Sequence, residues 1–280
     1  MDMMNIVYAV VVLGALGGIF GLALALAGKI FFVKVDEREE AITGILPGAN
    51  CGGCGFPGCA GCAAAMVSGT AAVNACLPGG NATAAKVADI LGVAAEETEK
   101  MVAFVRCSGE NMAKKYDYNG VQDCVGAMRV GSPQGPNVCA NGCMGLGSCV
   151  KACRFGAMSI VDGVAKVDKE LCVGCGACSK ACPRELIELV DYDNHTIIAC
   201  HSHARGAAVT RGCTQGCIGC GLCTKICPNG AITVVQNLAT IDYEKCTGCG
   251  LCATVCPKKL IASHVDDASK VDMTKATATE

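Results

Sequence analysis

The spacing of cysteine constrains this chain more than any other feature. The sequence has 280 residues, 25 of them Cys, and nine of these stand in three C-x-x-C-x-x-C runs. Neighbouring thiols in such runs cannot all pair as disulfides without strain, whereas the same spacing lets them surround an inorganic cluster. The chain has no Trp, five Tyr and six Phe. Its hydrophobic cores must therefore be thin, and we expect metal to hold several small modules together.

The cysteines also repeat at an interval of 74 residues, which indicates an internal duplication. Gly156, Asp168 and Pro183 recur at the same interval. The repeated thiols of the first copy are Cys139, Cys143, Cys149, Cys153, Cys172, Cys175, Cys178 and Cys182. Their mates in the second copy are Cys213, Cys217, Cys223, Cys227, Cys246, Cys249, Cys252 and Cys256.

The second copy contains two complete runs of the form C-x2-C-x2-C-x3-C-P. This is the pattern of two-cluster bacterial ferredoxins, in which the fourth Cys of each run ligates the other cluster. One [4Fe–4S] cluster is predicted on Cys217, Cys220, Cys223 and Cys256. The other is predicted on Cys246, Cys249, Cys252 and Cys227. Two apolar segments between the runs, 231–235 and 238–241, predict a hairpin of strands.

The first copy departs from this pattern because Leu146 stands where the second copy has Cys220. Its intact run predicts a cluster on Cys172, Cys175, Cys178 and Cys153. The neighbouring set has three in-line thiols, Cys143, Cys149 and Cys182. We expect Cys139 to be its fourth ligand, and Cys124, Cys107 or a three-iron cluster are the alternatives. Cys200 fits no run and is expected to be a small buried thiol.

A separate group of five cysteines follows the N-terminal region. Cys51, Cys54 and Cys59 stand in a Gly-rich segment, and spacing leaves Cys62 or Cys76 as the fourth ligand. Glycines between the ligands let the backbone fold closely around a cluster. The pattern beyond these cysteines predicts two short helices, 82–91 and 95–105, separated at Gly92.

The N-terminus itself predicts a membrane anchor. Residues 6–27 carry no charge and are long enough to cross a bilayer as a helix. No basic residue precedes the span, whereas Lys29, Lys34 and Arg38 follow it, so the rest of the chain should face the cytoplasm. The formal net charge is −2, and clusters bound by four thiolates would make the protein more negative. Nucleic acid is therefore not expected as a partner. The chain also has no Walker or dinucleotide-binding motif.

The order of these parts resembles the B subunit of the Rnf complex, an ion-translocating ferredoxin:NAD oxidoreductase. The parts are the anchor, the segment Cys51-Gly-Gly-Cys54-Gly-Phe-Pro-Gly-Cys59, the motif Cys76-Leu-Pro-Gly-Gly and the ferredoxin-like repeats. The resemblance implies Cys76, not Cys62, as the fourth ligand of the first cluster. It implies electron transfer from soluble ferredoxin to integral-membrane and peripheral partner subunits, with Na⁺ or H⁺ translocation and NAD reduction elsewhere in the complex. The alternative is an iron–sulfur subunit that transfers electrons within a membrane hydrogenase or formate-oxidising complex.

The predicted fold class is α+β. It comprises one transmembrane helix, a small helical Fe–S domain and two tandem two-cluster ferredoxin-like modules. At least five [4Fe–4S] clusters are expected, and six if Cys107 and Cys124 help to bind another. The predicted boundaries are 1–33 for the anchor, 34–105 for the helical domain, 106–135 for a connecting segment, 136–192 for module 1, 193–209 for a linker, 210–264 for module 2 and 265–280 for a polar tail.

Overall fold

The N-terminal helix is apolar along its length. The computed structural model describes residues 3–30, 36–110, 112–130, 135–193 and 196–262. Helix α1 (Met3–Ile30) contains a window with mean hydropathy 2.5, none of it buried against the rest of the described protein. The predicted span is thus a helix that is long and apolar enough to cross a membrane. Lys34 and the predicted tail 265–280 lie outside the described residues.

A small helical domain follows the anchor. It consists of α2 (Glu37–Ile45), α3 (Gly58–Val67), a 3-10 turn (Leu77–Gly79) and α4 (Gly80–Leu91). Asp36 caps α2, because its carboxylate accepts a hydrogen bond from the amide of Arg38 at 2.9 Å. The helices pack through Ile42, Met66 and Val87, all of them buried. This core is small, as expected of a domain organised around a metal cluster.

In the described residues, module 1 has four strands and three short helices. Its elements are β1 (Met101–Val105), α5 (Cys124–Val130), α6 (Ser148–Ala152), β2 (Met158–Val161), β3 (Val164–Val167), α7 (Ala177–Ala181) and β4 (Ile187–Asp191). Strands β2 and β3 form a hairpin, and β1 pairs antiparallel with β4. Asp162 and Gly163 connect the hairpin with positive φ angles of 50° and 78°, as a two-residue turn requires.

Module 2 repeats this arrangement with shorter outer strands. Its elements are β5 (Ile197–Ile198), α8 (Gly206–Gly212), α9 (Leu222–Ile226), β6 (Ile232–Val235), β7 (Leu238–Ile241), α10 (Leu251–Thr254) and β8 (Ile261–Ala262). Strands β6 and β7 form the hairpin predicted from the sequence, and β5 pairs antiparallel with β8. The pair β5–β8 is thus the counterpart in module 2 of the pair β1–β4.

The prediction of a helix over 95–105 is wrong. Helix α4 ends at Gly92, which adopts the left-handed conformation at φ +68°. The chain is then extended, and Met101–Val105 becomes strand β1. Pairing with β4 buries Phe104 to 1% exposure, in a core that includes Leu186 and Ile187. The gain from this long-range pairing and burial outweighs the weak local preference of the segment for a helix.

Strand β1 packs with the strands of module 1 rather than with the helical domain. The core of module 1 includes β1, so this module begins before the predicted connecting segment 106–135. The segment 106–135 itself contains α5, and the predicted linker 193–209 contains β5 and the start of α8. The amide of Ser108 donates to the carbonyl of Ala199 at 3.1 Å, so these two segments meet where the modules join.

Candidate iron–sulfur centres

The loops that carry the thiols have one recurring backbone geometry. In each ferredoxin-like run, the third Cys is the second residue of a short helix, and the residue before that helix is a left-handed glycine. A second left-handed glycine lies two positions earlier. Only glycine adopts this conformation without a steric cost. The glycine pairs are Gly145 and Gly147, Gly174 and Gly176, Gly219 and Gly221, and Gly248 and Gly250.

In module 2 the described residues form two groups of four thiols. We call the group Cys217, Cys220, Cys223 and Cys256 site 5, and the group Cys227, Cys246, Cys249 and Cys252 site 6; each lines one small enclosed space. The fourth Cys of each run thus reaches the other group, as the ferredoxin pattern predicts. Burial raises the pKa of Cys252 to about 12, and neighbouring thiolates add to the shift. A cationic metal core would offset the repulsion among four thiolates so close together.

Module 1 contains a matching group. We call Cys153, Cys172, Cys175 and Cys178 site 2. Burial, together with the nearby thiolates of the other three, raises the pKa of Cys178 to about 12. The amide of Ala103 in β1 donates to Sγ of Cys172 at 3.3 Å. Amide donors of this kind stabilise cluster sulfurs and tune their potential.

The second group in module 1 contains Cys124 in place of the missing in-line thiol. Cys124, Cys143, Cys149 and Cys182, which we call site 3, line one enclosed space. Burial raises the pKa of Cys149 to about 12, with further contributions from the other three thiolates. Cys124 begins α5, and its amide donates to Oγ of Ser148 at 2.7 Å. Ser148 in turn donates to Asp123 at 2.7 Å, which fixes Cys124 beside Cys149.

The structure brings Cys124, rather than the predicted Cys139, beside the other three thiols. Spacing favoured Cys139 because it is four residues from Cys143, but the chain turns and carries its thiol to a different cavity, between the modules. Leu146 occupies the place of the lost thiol and packs with Cys124 and Met144. Cys124 was one of the alternatives that the sequence offered, but no local spacing could choose it.

In the helical domain, Cys51, Cys54, Cys59 and Cys76 come together, and we call them site 1. Burial raises the pKa of Cys76, and the nearby thiolates of the other three add to the shift. The amide of Gly79 opposes it by donating to Cys76. Cys62 lies close by on α3 and is only 1% exposed within the apolar core. Burial raises its pKa to about 12. The structure thus brings both candidates for the fourth ligand to the same place.

Four further thiols line a cavity of about 460 Å³ between the two modules, and we call this group site 4. Its members are Cys107, Cys139, Cys200 and Cys213. From the sequence, Cys200 was expected to be a small buried thiol, and Cys213 was assigned to no cluster. Nothing in their local spacing relates them to Cys107, because the four come from four separate segments. The 74-residue relation between Cys139 and Cys213 was the one signal available.

The thiol groups do not converge as ligands of a single ion would. Among the described residues, no set of three or more Cys, His, Asp or Glu side chains is close enough to share one metal ion. A single zinc ion requires such convergence, whereas the four thiolates of a cubane each bind a different iron. The loops, amide donors and thiol groups fit [4Fe–4S] clusters, which supply one-electron transfer when bound.

Comparison with protein families agrees with this chemistry. A family model for an Fe–S cluster domain matches residues 46–78, a 4Fe–4S dicluster model matches residues 216–260, and a 4Fe–4S binding model matches residues 165–188. The B subunit of the Na⁺-translocating ferredoxin:NAD⁺ oxidoreductase complex of Acetobacterium woodii is 44% identical over 84% of this chain and 71% of its own length. The chain belongs to the family of Rnf B subunits.

Two other members of the Rnf family align over most of their length. The B subunit of the ion-translocating oxidoreductase complex of Methanosarcina acetivorans is 44% identical over 86% of this chain and 91% of its own. The B subunit of the proton-translocating ferredoxin:NAD⁺ oxidoreductase complex of Clostridium ljungdahlii is 42% identical over 86% and 85%. The predicted family is confirmed. This Rnf protein is an iron–sulfur electron-transfer subunit of an ion-translocating oxidoreductase complex.

Proposed function

We propose that this Rnf protein accepts electrons from reduced soluble ferredoxin and passes them through at least five [4Fe–4S] clusters toward its membrane partners. The clusters would occupy sites 1, 2, 3, 5 and 6. The observation that carries this proposal is the set of five four-thiol groups, each in a loop or helix geometry that suits a cubane. The names of the relatives supply the donor and the acceptor, ferredoxin and NAD⁺.

Contacts between neighbouring sites support a continuous path at the N-terminal end. Gly53, between two thiols of site 1, lies so close to Cys175 of site 2 that an added Cβ would be 2.5 Å from its carbonyl oxygen. Lys180 donates to the carbonyl of Gly52 at 3.2 Å, and Arg154 to that of Ala49 at 2.6 Å. These bonds hold the helical domain against module 1.

The paired sites within each module are also adjacent. Cys149 of site 3 and Cys178 of site 2 are near enough for one thiolate to raise the pKa of the other. The same holds for Cys223 of site 5 and Cys252 of site 6. Among all the cysteines of the chain, Cys220 of site 5 is the exposed one. Module 2 therefore offers soluble ferredoxin the shortest approach, and site 1 lies next to the membrane anchor in the sequence.

For site 1, we propose Cys76 as the fourth ligand. It begins the turn Leu77–Gly79 and receives the amide of Gly79, whereas Cys62 packs within the apolar core of the domain. We also propose that the Fe–S domains face the cytoplasm. The support is Lys29 in the last turn of α1 and the basic residues that follow it in the sequence.

The test follows, in a stopped-flow instrument, how reduced ferredoxin reduces the complete, anaerobically purified protein. We expect about five or more electrons per chain to bleach the cluster absorption, one for each cluster. Dithionite reduction of the same sample is the control, because it reduces clusters without docking. Bleaching by dithionite with no oxidation of ferredoxin would exclude ferredoxin as the direct donor. Fewer than about 16 irons per chain, or four cubanes, would refute the cluster count.

A further inference from the structure

The cavity between the modules has three features that suit a cluster: covered thiols, enough space and amide donors to sulfur. Cys107, Cys200 and Cys213 lie in it with Cys139. Cys107 and Cys200 are buried, and the thiols of Cys139 and Cys213 are partly covered. The cavity holds about 460 Å³, and the space enclosed by the thiols of site 3 is about 20 Å³. Room for a cluster of the same kind is therefore present.

Site 4 consists of two equivalent pairs, one from each module. Cys139 and Cys213 are 74 residues apart and are repeat mates. Cys107 stands two residues after β1, and Cys200 stands two residues after the equivalent strand β5. Each module thus contributes one thiol from each of two equivalent positions. This symmetry gives a role to two cysteines of each module that lie outside the ferredoxin-like runs.

Hydrogen bonds to the sulfurs follow the same symmetry. The amide of Cys143 donates to Sγ of Cys107 at 3.4 Å. The amide of its repeat mate Cys217 donates to Sγ of Cys200 at 3.3 Å. A second amide, that of Ser202, donates to Cys200 at 3.5 Å. These distances match the 3.3 Å bond to Cys172 in site 2, and such donors favour a thiolate that carries metal.

Glycines leave the sulfurs of site 4 accessible on the cavity side. A Cβ on Gly109 would lie 2.9 Å from Met112 and 3.0 Å from Sγ of Cys213. A Cβ on Gly142 would lie 2.7 Å from Met112 and 3.3 Å from Sγ of Cys139. Neither glycine has a positive φ, so backbone conformation does not require them. Close approach to Met112 and to the thiols gives a reason for glycine at both positions.

The same two hydrogen bonds connect site 4 to the clusters on either side. Cys143 belongs to site 3 and Cys217 to site 5, so a ligand residue of each neighbouring site donates its amide to a sulfur of site 4. Without site 4, the contacts described above connect sites 1, 2 and 3 with one another and sites 5 and 6 with each other, but they do not connect these two groups. Site 4 lies between these two groups of sites.

We propose that Cys107, Cys139, Cys200 and Cys213 bind a further [4Fe–4S] cluster that transfers electrons from module 2 to module 1. In this step one electron leaves a reduced cluster at site 5, reduces the cluster at site 4, and then passes to site 3; no proton or ligand is exchanged. The relay rests on the proposed function, in which ferredoxin supplies the electrons, whereas the presence of the cluster can be tested independently of it.

The first test counts iron, acid-labile sulfide and zinc in the complete protein purified anaerobically. We expect about 24 irons in the wild type and about 20 in the double variant Cys139→Ser/Cys213→Ser, because each cubane holds four. Cys62→Ser is the matched control, since Cys62 is the one cysteine that belongs to none of the six sites, and it should keep the wild-type count. Retention of about 20 irons would also show that the double variant folds.

A single variant, Cys139→Ser, provides a spectroscopic signature. Loss of one ligand should leave either no cluster or a three-iron cluster, whose oxidised form gives an EPR signal absent from the wild type. About 20 irons in both the wild type and the double variant would overturn the proposal, as would one zinc ion per chain that the double variant lacks.

Electron transfer through site 4 is measured separately, by comparing reduction by ferredoxin with reduction by dithionite. In the double variant, reduced ferredoxin should bleach only sites 5 and 6, while dithionite should still reduce every remaining cluster. Unchanged, rapid bleaching of all remaining clusters by ferredoxin would refute the relay. If the wild type took no electrons from ferredoxin at all, the proposed function would fail, and the iron count would still decide whether site 4 holds a cluster.

Discussion

The assignment of Cys124 to site 3 leads to a rescue experiment. Leu146 lies between the left-handed Gly145 and Gly147, as Cys220 lies between Gly219 and Gly221. The loop has thus kept its ferredoxin conformation and lost only the thiol. We predict that Cys124→Ser removes the cluster of site 3 or reduces it to three irons. Adding Leu146→Cys should restore it, because the new thiol would occupy the position that Cys220 has in module 2.

The expected magnitudes follow from the local structure. Cys124→Ser should lower the iron count by about four, or by about one if a three-iron cluster survives. The start of α5 should remain intact, since the amide of residue 124 keeps its bond to Ser148 and Gly126 still donates to Asp123 at 2.6 Å. Leu146 is half-buried, so its replacement by Cys should cost about 1 kcal/mol in stability.

Iron and acid-labile sulfide are counted for the wild type, Cys124→Ser, Leu146→Cys and the double variant. Cys139→Ser, with and without Leu146→Cys, is the matched control. Because Cys139 lies in the cavity of site 4, Leu146→Cys should not repair its loss. The reasoning would be refuted if Leu146→Cys rescued Cys139→Ser and failed to rescue Cys124→Ser.

Three further predictions address other parts of the chain. Cys76→Ser should remove about four irons and destabilise the helical domain, whereas Cys62→Ser should leave the count unchanged; the opposite pair of results would assign Cys62 to site 1. Gly53→Ala should lower the unfolding midpoint, because its Cβ would clash with Cys175 at 2.5 Å and overpacking costs about 1–3 kcal/mol. The control Gly44→Ala meets nothing within 4 Å, and equal midpoints for the two variants would contradict the predicted contact. A reporter active only in the periplasm, fused to the C-terminus, should give no signal, and a strong signal would reverse the proposed orientation.

The sequence by itself determined the parts of this protein that depend on local spacing. The C-x2-C-x2-C runs and their flanking glycines define loops that close within a few residues, so sites 2, 5 and 6 could be read from the chain. The 74-residue interval revealed the duplication, and the uncharged stretch at the N-terminus predicted α1. In each case the physical cause, either turn geometry or the length of an apolar helix, acts over neighbouring residues.

Tertiary structure decided the features that depend on distant segments. Strand β1 forms because β4 pairs with it and buries Phe104, although the isolated sequence suggested a helix. Cys124 reaches site 3 through the bond to Ser148, and Cys139 moves away from Cys143 to meet Cys107, Cys200 and Cys213. The last grouping arises only when two copies of a module pack against each other. Sequence separation does not limit such contacts, because folding places remote segments side by side and the energy of packing selects which of them meet.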